Sequence, residues 1–245
     1  MAKPIFTVII PAHNEEKYIG GCLEAVRKAA SHAPEGSVQV IVVANRCTDR
    51  TAEIALSYGA QVIPNEDKHI SRIRNAGAAR AMGRIIVTID ADSKMSENSF
   101  IEIHKMLKSG LYVGGGTVSQ FDRMSPGIAV SAAYVAMNII PVMIREKAPL
   151  MGGMFWCLKK DFDAVGGFDE SLVSVEDLDF AVRLKRHGEK TGRRYGVLPN
   201  ARIITSSRKF DEFGDWYLVK NRKLTKEIFT GTNREAADKF YYDVR

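Results

Sequence analysis

The chain has 245 residues, 45% apolar and 26% charged, with 35 Lys+Arg against 29 Asp+Glu. These are ordinary globular values for one large domain, and they exclude a disordered, collagen-like or purely coiled-coil chain. The net charge of +6 is uneven: residues 181–245 carry +8 and residues 1–180 carry −2, which points to an anionic partner at one end, a phosphate or a membrane face.

Read in chain order, the first half alternates strand and helix. Phe6–Ile10 is a short β-branched run between Pro4 and Pro11. Its apolar stretch is too short for a signal-peptide core. Asn14–Ala29 reads as a helix with Ile19, Leu23 and Val26 on one face. Gln39–Val43 is a buried strand, Thr51–Ser57 a short helix ending near Gly59, and Gln61–Ile63 a small strand. Ser71–Met82 is helical and Gly83 stops it; Arg84–Ile89 is a strand that runs into Asp90-Ala91-Asp92. Strands apolar on both faces and separated by helices predict an α/β layered fold: a central, mostly parallel mixed sheet with helices on both faces. The second half is less regular. Tyr112–Phe121 reads as a strand kinked at Gly114-Gly115-Gly116, Ser125–Ile144 as an apolar helix, and Gly152–Leu158 as a buried strand. Glu176–Arg186 reads as a helix with acids first and bases last, as the helix dipole prefers. Arg202–Thr205 reads as a last strand and Asp211–Phe229 as a basic amphipathic helix. Cys22, Cys47 and Cys157 lie far apart with no CxxC pair, so neither a disulfide framework nor a zinc site is expected. A reducing, cytoplasmic setting follows.

Three polar clusters fall at strand ends, where open α/β sheets bind ligands: Pro11–Glu16, Asn45–Asp49 and Asp90–Ser93. Asp90 and Asp92 can share Mg²⁺ or Mn²⁺ with phosphate oxygens. The plainer reading is a turn whose acids cap the next helix; the preceding apolar strand tilts the choice towards a metal. In Pro11-Ala12-His13-Asn14-Glu15, capping explains Asn14 and the acids, but not His13, whose flat ring could lie against a nucleobase. Neither GxGxxG nor GxxxxGK[ST] follows the first strand. Asn45 can hydrogen-bond a base edge, while Thr48 or Asp49 caps the next helix. Arg74 can reach a diphosphate; a solvated face suits Arg72 better. Glu176-Asp177 is a second acidic pair and a candidate general base, against a plain N-cap by Ser174 or Asp177. Trp156 could stack on a sugar, though core packing is the commoner use of such an aromatic.

Together these clusters resemble the family 2 glycosyltransferases of GT-A fold. The matching pieces are VIIPAHNEEKYIGGCLEAV, VIVVANRCTDRTAEIA, RIRNAGAARAMGRIIVTIDADS, GGMFWCLKKDFDAVGGFDE and VEDLDFAVRLKRHG, in the family's order. The resemblance implies inverting transfer of a sugar from a nucleotide-diphosphate donor, a UDP or GDP sugar, to an acceptor hydroxyl. By position it places Pro11, Ala12, His13, Asn14, Glu15 and Asn45 in the nucleotide pocket and Arg74 near the diphosphate. Asp90 and Asp92 match the DxD motif, with Asp92 as metal ligand. Glu176 and Asp177 match the ED motif, with Asp177 as base. Many members have two acids where this chain has Ala44-Asn45, and the processive QxxRW motif is absent, SSRKF at 206–210 standing instead; one sugar per binding event is expected. Arg208 is suggested by charge alone as a phosphate contact.

This organises the chain as one domain over 1–245: a nucleotide-sugar half at 1–120, an acceptor and catalytic half at 121–205, and a basic helical extension at 206–245. The rivals are a sugar-phosphate nucleotidyltransferase, which would need a glycine-rich arginine loop after the first strand, and a silent sugar-nucleotide-binding protein. No nucleic-acid module is recognised. The uncharged run 124–144 is long enough to span a bilayer. A crossing, however, would put the two acidic pairs on opposite sides of the membrane. A buried or homodimer-interface helix is the first reading. A membrane-surface contact at the inner face, serving a lipid-linked rather than a small-molecule acceptor, is the second, and a true span the last.

Overall fold

The computed structural model describes residues 3–33 and 38–229. The elements run β1 (Phe6–Ala12), α1 (Ile19–Ser31), β2 (Val38–Asn45), α2 (Thr51–Ser57), β3 (Gln61–Asn65), α3 (Ile70–Ala79) and β4 (Ile85–Ile89). Then come β5 (Ser93–Met95), α4 (Ser99–Lys108), β6 (Tyr112–Phe121), α5 (Pro126–Glu146), β7 (Met154–Leu158), α6 (Lys159–Ala164) and α7 (Glu176–Glu189). β8 (Arg194–Thr205) and three short helices, α8 (Arg208–Phe213), α9 (Tyr217–Lys220) and α10 (Arg222–Phe229), finish the described chain. The part of the expected basic extension beyond 229 lies outside the described residues.

One eight-stranded sheet has the order β3-β2-β1-β4-β7-β6-β8-β5. β3, β2, β1 and β4 are parallel; β7 runs against both β4 and β6; β6 and β8 are parallel; and β5 closes the edge antiparallel to β8. Side chains alternate across the sheet with period two. Val8 and Ile10 pack on the α1 and α4 side with Leu23, Val26, Phe100 and Ile103. Ile9 faces the α3, α6 and α7 side with Ile73, Phe162, Phe180 and Leu184. The sheet therefore has a core on each face, as a strand apolar on both sides requires.

The chain travels from β1 outward to β2 and β3, then returns to place β4 on the other side of β1. That reversal opens a crevice beyond the carboxyl ends of β1 and β4, the usual ligand position in such sheets. Residues 11–15 and 90–92 flank it.

Several expected boundaries change, each for a local reason. The first helix starts at Ile19, not Asn14: Asn14 sits in the left-handed region at φ 51°, and its Oδ1 accepts from Thr48 N at 2.9 Å. Asn14 is thus a loop clasp and not a helix cap. The last expected helix is three pieces, interrupted at Gly214 (φ 87°) and Asn221. β6 stays continuous through its glycines with register shifts around Gly114 and Gly116. A Cβ on Gly115 would sit 2.0 Å from the Gly196 carbonyl oxygen, which explains the bare backbone. Trp156 is core: its ring is fully buried and its Nε1 donates to the Gly116 carbonyl at 3.0 Å.

The apolar helix α5 is not buried within the chain. Only 17% of its most apolar eighteen-residue stretch is fully buried, though Val135, Val142 and Met143 pack against the core, and it is long and apolar enough to cross a membrane by length and composition. Its ends are anchored. Ser125 caps Ile128 N at 3.1 Å and Ser131 Oγ donates to the Asp215 carbonyl at 2.8 Å. At the far end Glu146 accepts from Arg186 at 2.6 and 3.1 Å.

Candidate active site

Arginine 74 organises the centre. It projects from α3, is almost wholly buried, and donates Nη1 to Glu176 Oε1 at 2.6 Å and Nη2 to Asp90 Oδ1 at 3.0 Å. The two acidic pairs, 86 positions apart between Asp90 and Glu176, thus share one guanidinium. Burial works against the Arg74 charge, but Asp90 and Glu176 outweigh it and raise its pKa above the ordinary arginine value. Its guanidinium also lies 5.1 Å from the Phe168 ring centroid. Phe168 is held in place by Asn75, whose Oδ1 accepts from Phe168 N at 3.0 Å and whose Nδ2 donates to Phe168 O at 2.9 Å. Arg72, half exposed, pairs with Glu170 at 3.3 Å and Asp67 at 3.7 Å and stays outside the centre.

Arginine 208 plays a matching part on the other side. It leaves the end of β8 and clasps Glu15 with Nη1–Oε2 at 2.5 Å and Nη2–Oε1 at 2.6 Å. The same Nη2 lies 3.0 Å from Asp92 Oδ2, and the guanidinium stacks 4.6 Å from the Tyr18 ring centroid. Burial opposes the Arg208 charge; Glu15 and then Asp92 more than compensate, raising its pKa. Charge alone had suggested Arg208 as a phosphate contact; its pairing with two predicted site residues was not legible, because 193 positions separate it from Glu15.

Asp90 and Asp92 offer hard oxygen donors at one strand end, and a cationic group, Arg208, already rests on Asp92. Among the described residues no three His, Cys, Asp or Glu converge. Carboxylate oxygens are donors of the kind Mg²⁺ or Mn²⁺ takes, and with only these two at the strand end substrate phosphates and water would have to complete the shell.

Asp177 stands at the first turn of α7. The turn is reached through Val175 at φ 53°, a left-handed conformation that a β-branched residue rarely adopts. Such local strain costs on the order of 1–3 kcal/mol and is kept where it places a functional group. Asp177 Oδ1 accepts from Leu178 N at 2.7 Å. Burial, then the neighbouring Glu176 carboxylate, push the Asp177 carboxyl up to about 6, with Arg74 pulling the other way. A Cβ on Gly152 would stand 3.0 Å from Asp177 Oδ2, so Gly152 is the floor under this carboxylate. Nothing in the sequence beyond a Gly-Gly pair signalled that role.

In the nucleotide region, Pro11, Ala12, His13, Glu15 and Asn45 line the same cleft as Arg74, Asp90, Asp92, Glu176 and Asp177. Asn14 does not line it. His13 Nδ1–H donates to the Asn45 carbonyl at 2.7 Å, which fixes the ring at the mouth of the sheet. The Asn45 amide is committed elsewhere: Nδ2 donates to Asp67 O at 2.7 Å, Asn65 Oδ1 at 2.9 Å and Asn65 O at 3.1 Å. Its work is to hold the β3 loop in place. Asp49 Oδ1 accepts from Thr51 N at 3.0 Å, but the N-cap position of α2 is Arg50, so neither Thr48 nor Asp49 is the cap expected there.

The cleft measures about 750 Å³. Its far wall was missed from sequence: Ala132, Val135, Ala136 and Ile139 of α5 face it, with Phe210 and Leu218 from α8 and α9.

The layered sheet, with its crevice beyond the carboxyl ends of β1 and β4, has the GT-A fold of known glycosyltransferases. The sequence profile of Glycosyl transferase family 2 matches residues 7–163, more than half of the chain, and the chain belongs to that family. It is 32% identical over 113 residues to the dolichyl-phosphate beta-glucosyltransferase ALG5C of Trichomonas vaginalis, covering 42% of this chain and 34% of that protein. It is 25% identical over 195 residues to the poly(ribitol-phosphate) beta-N-acetylglucosaminyltransferase TarS of Staphylococcus aureus, covering 73% of this chain and 32% of TarS. The chain therefore spans about a third of the length of these curated relatives. The TarS 1–349 crystal structure with UDP-GlcNAc superposes with a TM-score of 0.63 at 16% identity, over 98% of this chain and 71% of that one. The mannosyltransferase PcManGT of Pyrobaculum calidifontis, with GDP-Man and Mn²⁺, gives 0.63 at 18% identity, over 81% and 56%.

Proposed function

We propose that this protein transfers a sugar from a UDP or GDP sugar to an acceptor hydroxyl with inversion, one sugar per binding event. The observation that carries the reading is the Arg74 bridge, which holds a strand-end carboxylate, Asp90, and the base-bearing turn, Glu176-Asp177, on either side of one cleft. Residues of the first half hold the donor: the 11–15 loop and Asn45 region shape the base and ribose end, and Arg74 and Arg208 face the diphosphate. Asp92, with Asp90, would hold Mg²⁺ or Mn²⁺, which supplies charge neutralisation for the departing diphosphate. Asp177 takes the acceptor proton as the acceptor oxygen bonds the anomeric carbon. The anomeric C–O bond breaks on the opposite face, its electron pair leaving with the diphosphate, so configuration inverts. Fixed cations facing that leaving oxygen stabilise the charge that develops there. The second half presents the acceptor, and part of the basic extension, through Arg208, completes the donor side.

The test is nucleoside diphosphate release from UDP-glucose, UDP-GlcNAc and GDP-mannose, with Mn²⁺ or with EDTA. The expected result is turnover of one base class, lost in EDTA and lost in Asp177→Asn, with nucleotide affinity of the variant unchanged. Turnover by Asp177→Asn at the native rate would remove the base assignment. Tight nucleotide-sugar binding with no turnover under any condition would favour the silent-binder reading.

A further inference from the structure

Helix α5 does not follow the rule for apolar helices. A helix apolar around its whole circumference belongs inside a protein or a membrane, yet one whole side of this one is exposed. Two stripes run along it. Ala132, Val135, Ala136 and Ile139, at i, i+3, i+4 and i+7, face the cleft that holds Asp177. On other sides Val130, Met137, Ile140 and Ile144 stand 44%, 67%, 47% and 71% exposed. One cleft is thus lined both by the charged groups around Asp177 and by an apolar wall of α5.

We infer that the acceptor is a membrane lipid. Its hydroxyl head group lies at Asp177, its hydrocarbon chain lies beneath the inner stripe of α5, and the outer stripe rests on the bilayer that supplies it. The inference rests on the transfer reading above and adds the acceptor's chemical class. Asp177 favours a head group that must lose a proton, such as a hydroxyl, over one already ionised, such as a phosphate. Continuity of the apolar wall with the reaction site selects the chain. A second copy of this protein would cover the outer stripe only; the inner stripe packs in part through Val135 on Phe210 and Leu218 and otherwise lines the cleft, where a lipid chain would lie.

The surroundings agree with a helix lying flat at an interface and not crossing. α5 is pinned at its start through Ser131 to Asp215 and at its end through Glu146 to Arg186, with its inner face over the cleft. Trp216, 45% exposed, packs against Gly127 where the helix begins, and Lys220, Arg222 and Lys223 are exposed beyond it. Arg145 and Lys147 are exposed at the other end. An apolar stripe flanked by an interfacial aromatic and bases at both ends complements an anionic membrane face.

The experiment uses the full chain and three measurements. Flotation with phosphatidylcholine/phosphatidylglycerol vesicles tests the outer stripe. Calorimetric titration with dioctanoylglycerol, against glycerol as the chainless control, tests the inner one. Titration with UDP and GDP in Mn²⁺ reports the donor side independently. The expected result is flotation that weakens in high salt, and binding of dioctanoylglycerol but not glycerol. Ala136→Phe should weaken dioctanoylglycerol at least about tenfold by filling the groove, and Met137→Asp with Ile140→Asp should abolish flotation while dioctanoylglycerol still binds. Nucleotide binding without lipid binding would overturn the lipid acceptor and leave the transfer reading standing. Absence of nucleotide binding would instead sink the transfer reading. A concentration-dependent dimer that buries Met137 and does not float would overturn the membrane contact in favour of a second copy.

Discussion

The two walls of the cleft are built by opposite means. The donor wall is a set of charges neutralised in advance: Arg74 with Asp90 and Glu176, Arg208 with Glu15 and Asp92. Most of these groups stand at strand ends or helix starts of the buried sheet, so their geometry is fixed before substrate arrives. The far wall has no charge on α5 between its anchored ends and is a helix exposed along its outer side. The contrast teaches where precision is spent. Fixed dipoles and charges act on the reacting bonds without reorganising, while an apolar surface holds a partner by area and tolerates variation in shape.

If that division is correct, injury to the charged wall damages chemistry or folding, and the largest effect belongs to the base. Asp177→Asn should lower kcat on the order of 10²–10⁴-fold and leave nucleotide affinity within error, read by initial rates and calorimetry. Arg74→Met strands Glu176 and Asp90 without their shared cation. A loss of about 3–5 kcal/mol in unfolding free energy is expected from urea titration, as for other broken buried pairs; a change under 1 kcal/mol would show the bridge to be incidental. Gly152→Ala presses a methyl against the Asp177 carboxylate. It should cost between about ten- and a hundredfold in kcat with an unchanged melting temperature. The smallest effect is pH. With its carboxyl raised to about 6, Asp177 is protonated and idle below that value. The acid limb of kcat/KM should therefore fall near pH 6 and reach about tenfold loss at pH 5. For stability the sign is the reverse of a salt-bridged acid. Ionising Asp177 is harder in the fold than in the open chain, so its contribution to stability declines as pH rises from its ordinary 3.8 to about 6 and is then constant.

How far the sequence could be read follows from the range of each interaction. The parallel strands were legible because apolar runs of β-branched residues record burial on both faces locally. β2, for instance, was seen as Gln39–Val43 and extends only to Val38–Asn45. Asp90-Ala91-Asp92, Glu176-Asp177 and Arg74 were each legible as charged site residues, but not the bridge by which Arg74 joins the two acidic pairs. Asn14 misled because Asn serves equally as a cap and as a left-handed loop residue; only its partner Thr48 distinguishes the two. α4 and β5 were missed: a ten-residue helix with an acid and two lysines carries a weak pattern, and three residues of edge strand are defined only by their pairing with β8. The exposure of α5 was inaccessible in principle, since composition records what a helix could cover and not what covers it.

The clasp between Glu15 and Arg208 has a temporal meaning. It joins positions 193 residues apart, and Glu15 is only 1% exposed in the finished fold. During synthesis, loop 11–15 leaves the ribosome long before Arg208, so this ion pair forms only once α8, which follows β8, docks on that loop. The pair is therefore a contact of high sequence separation, of the kind that closes late in folding.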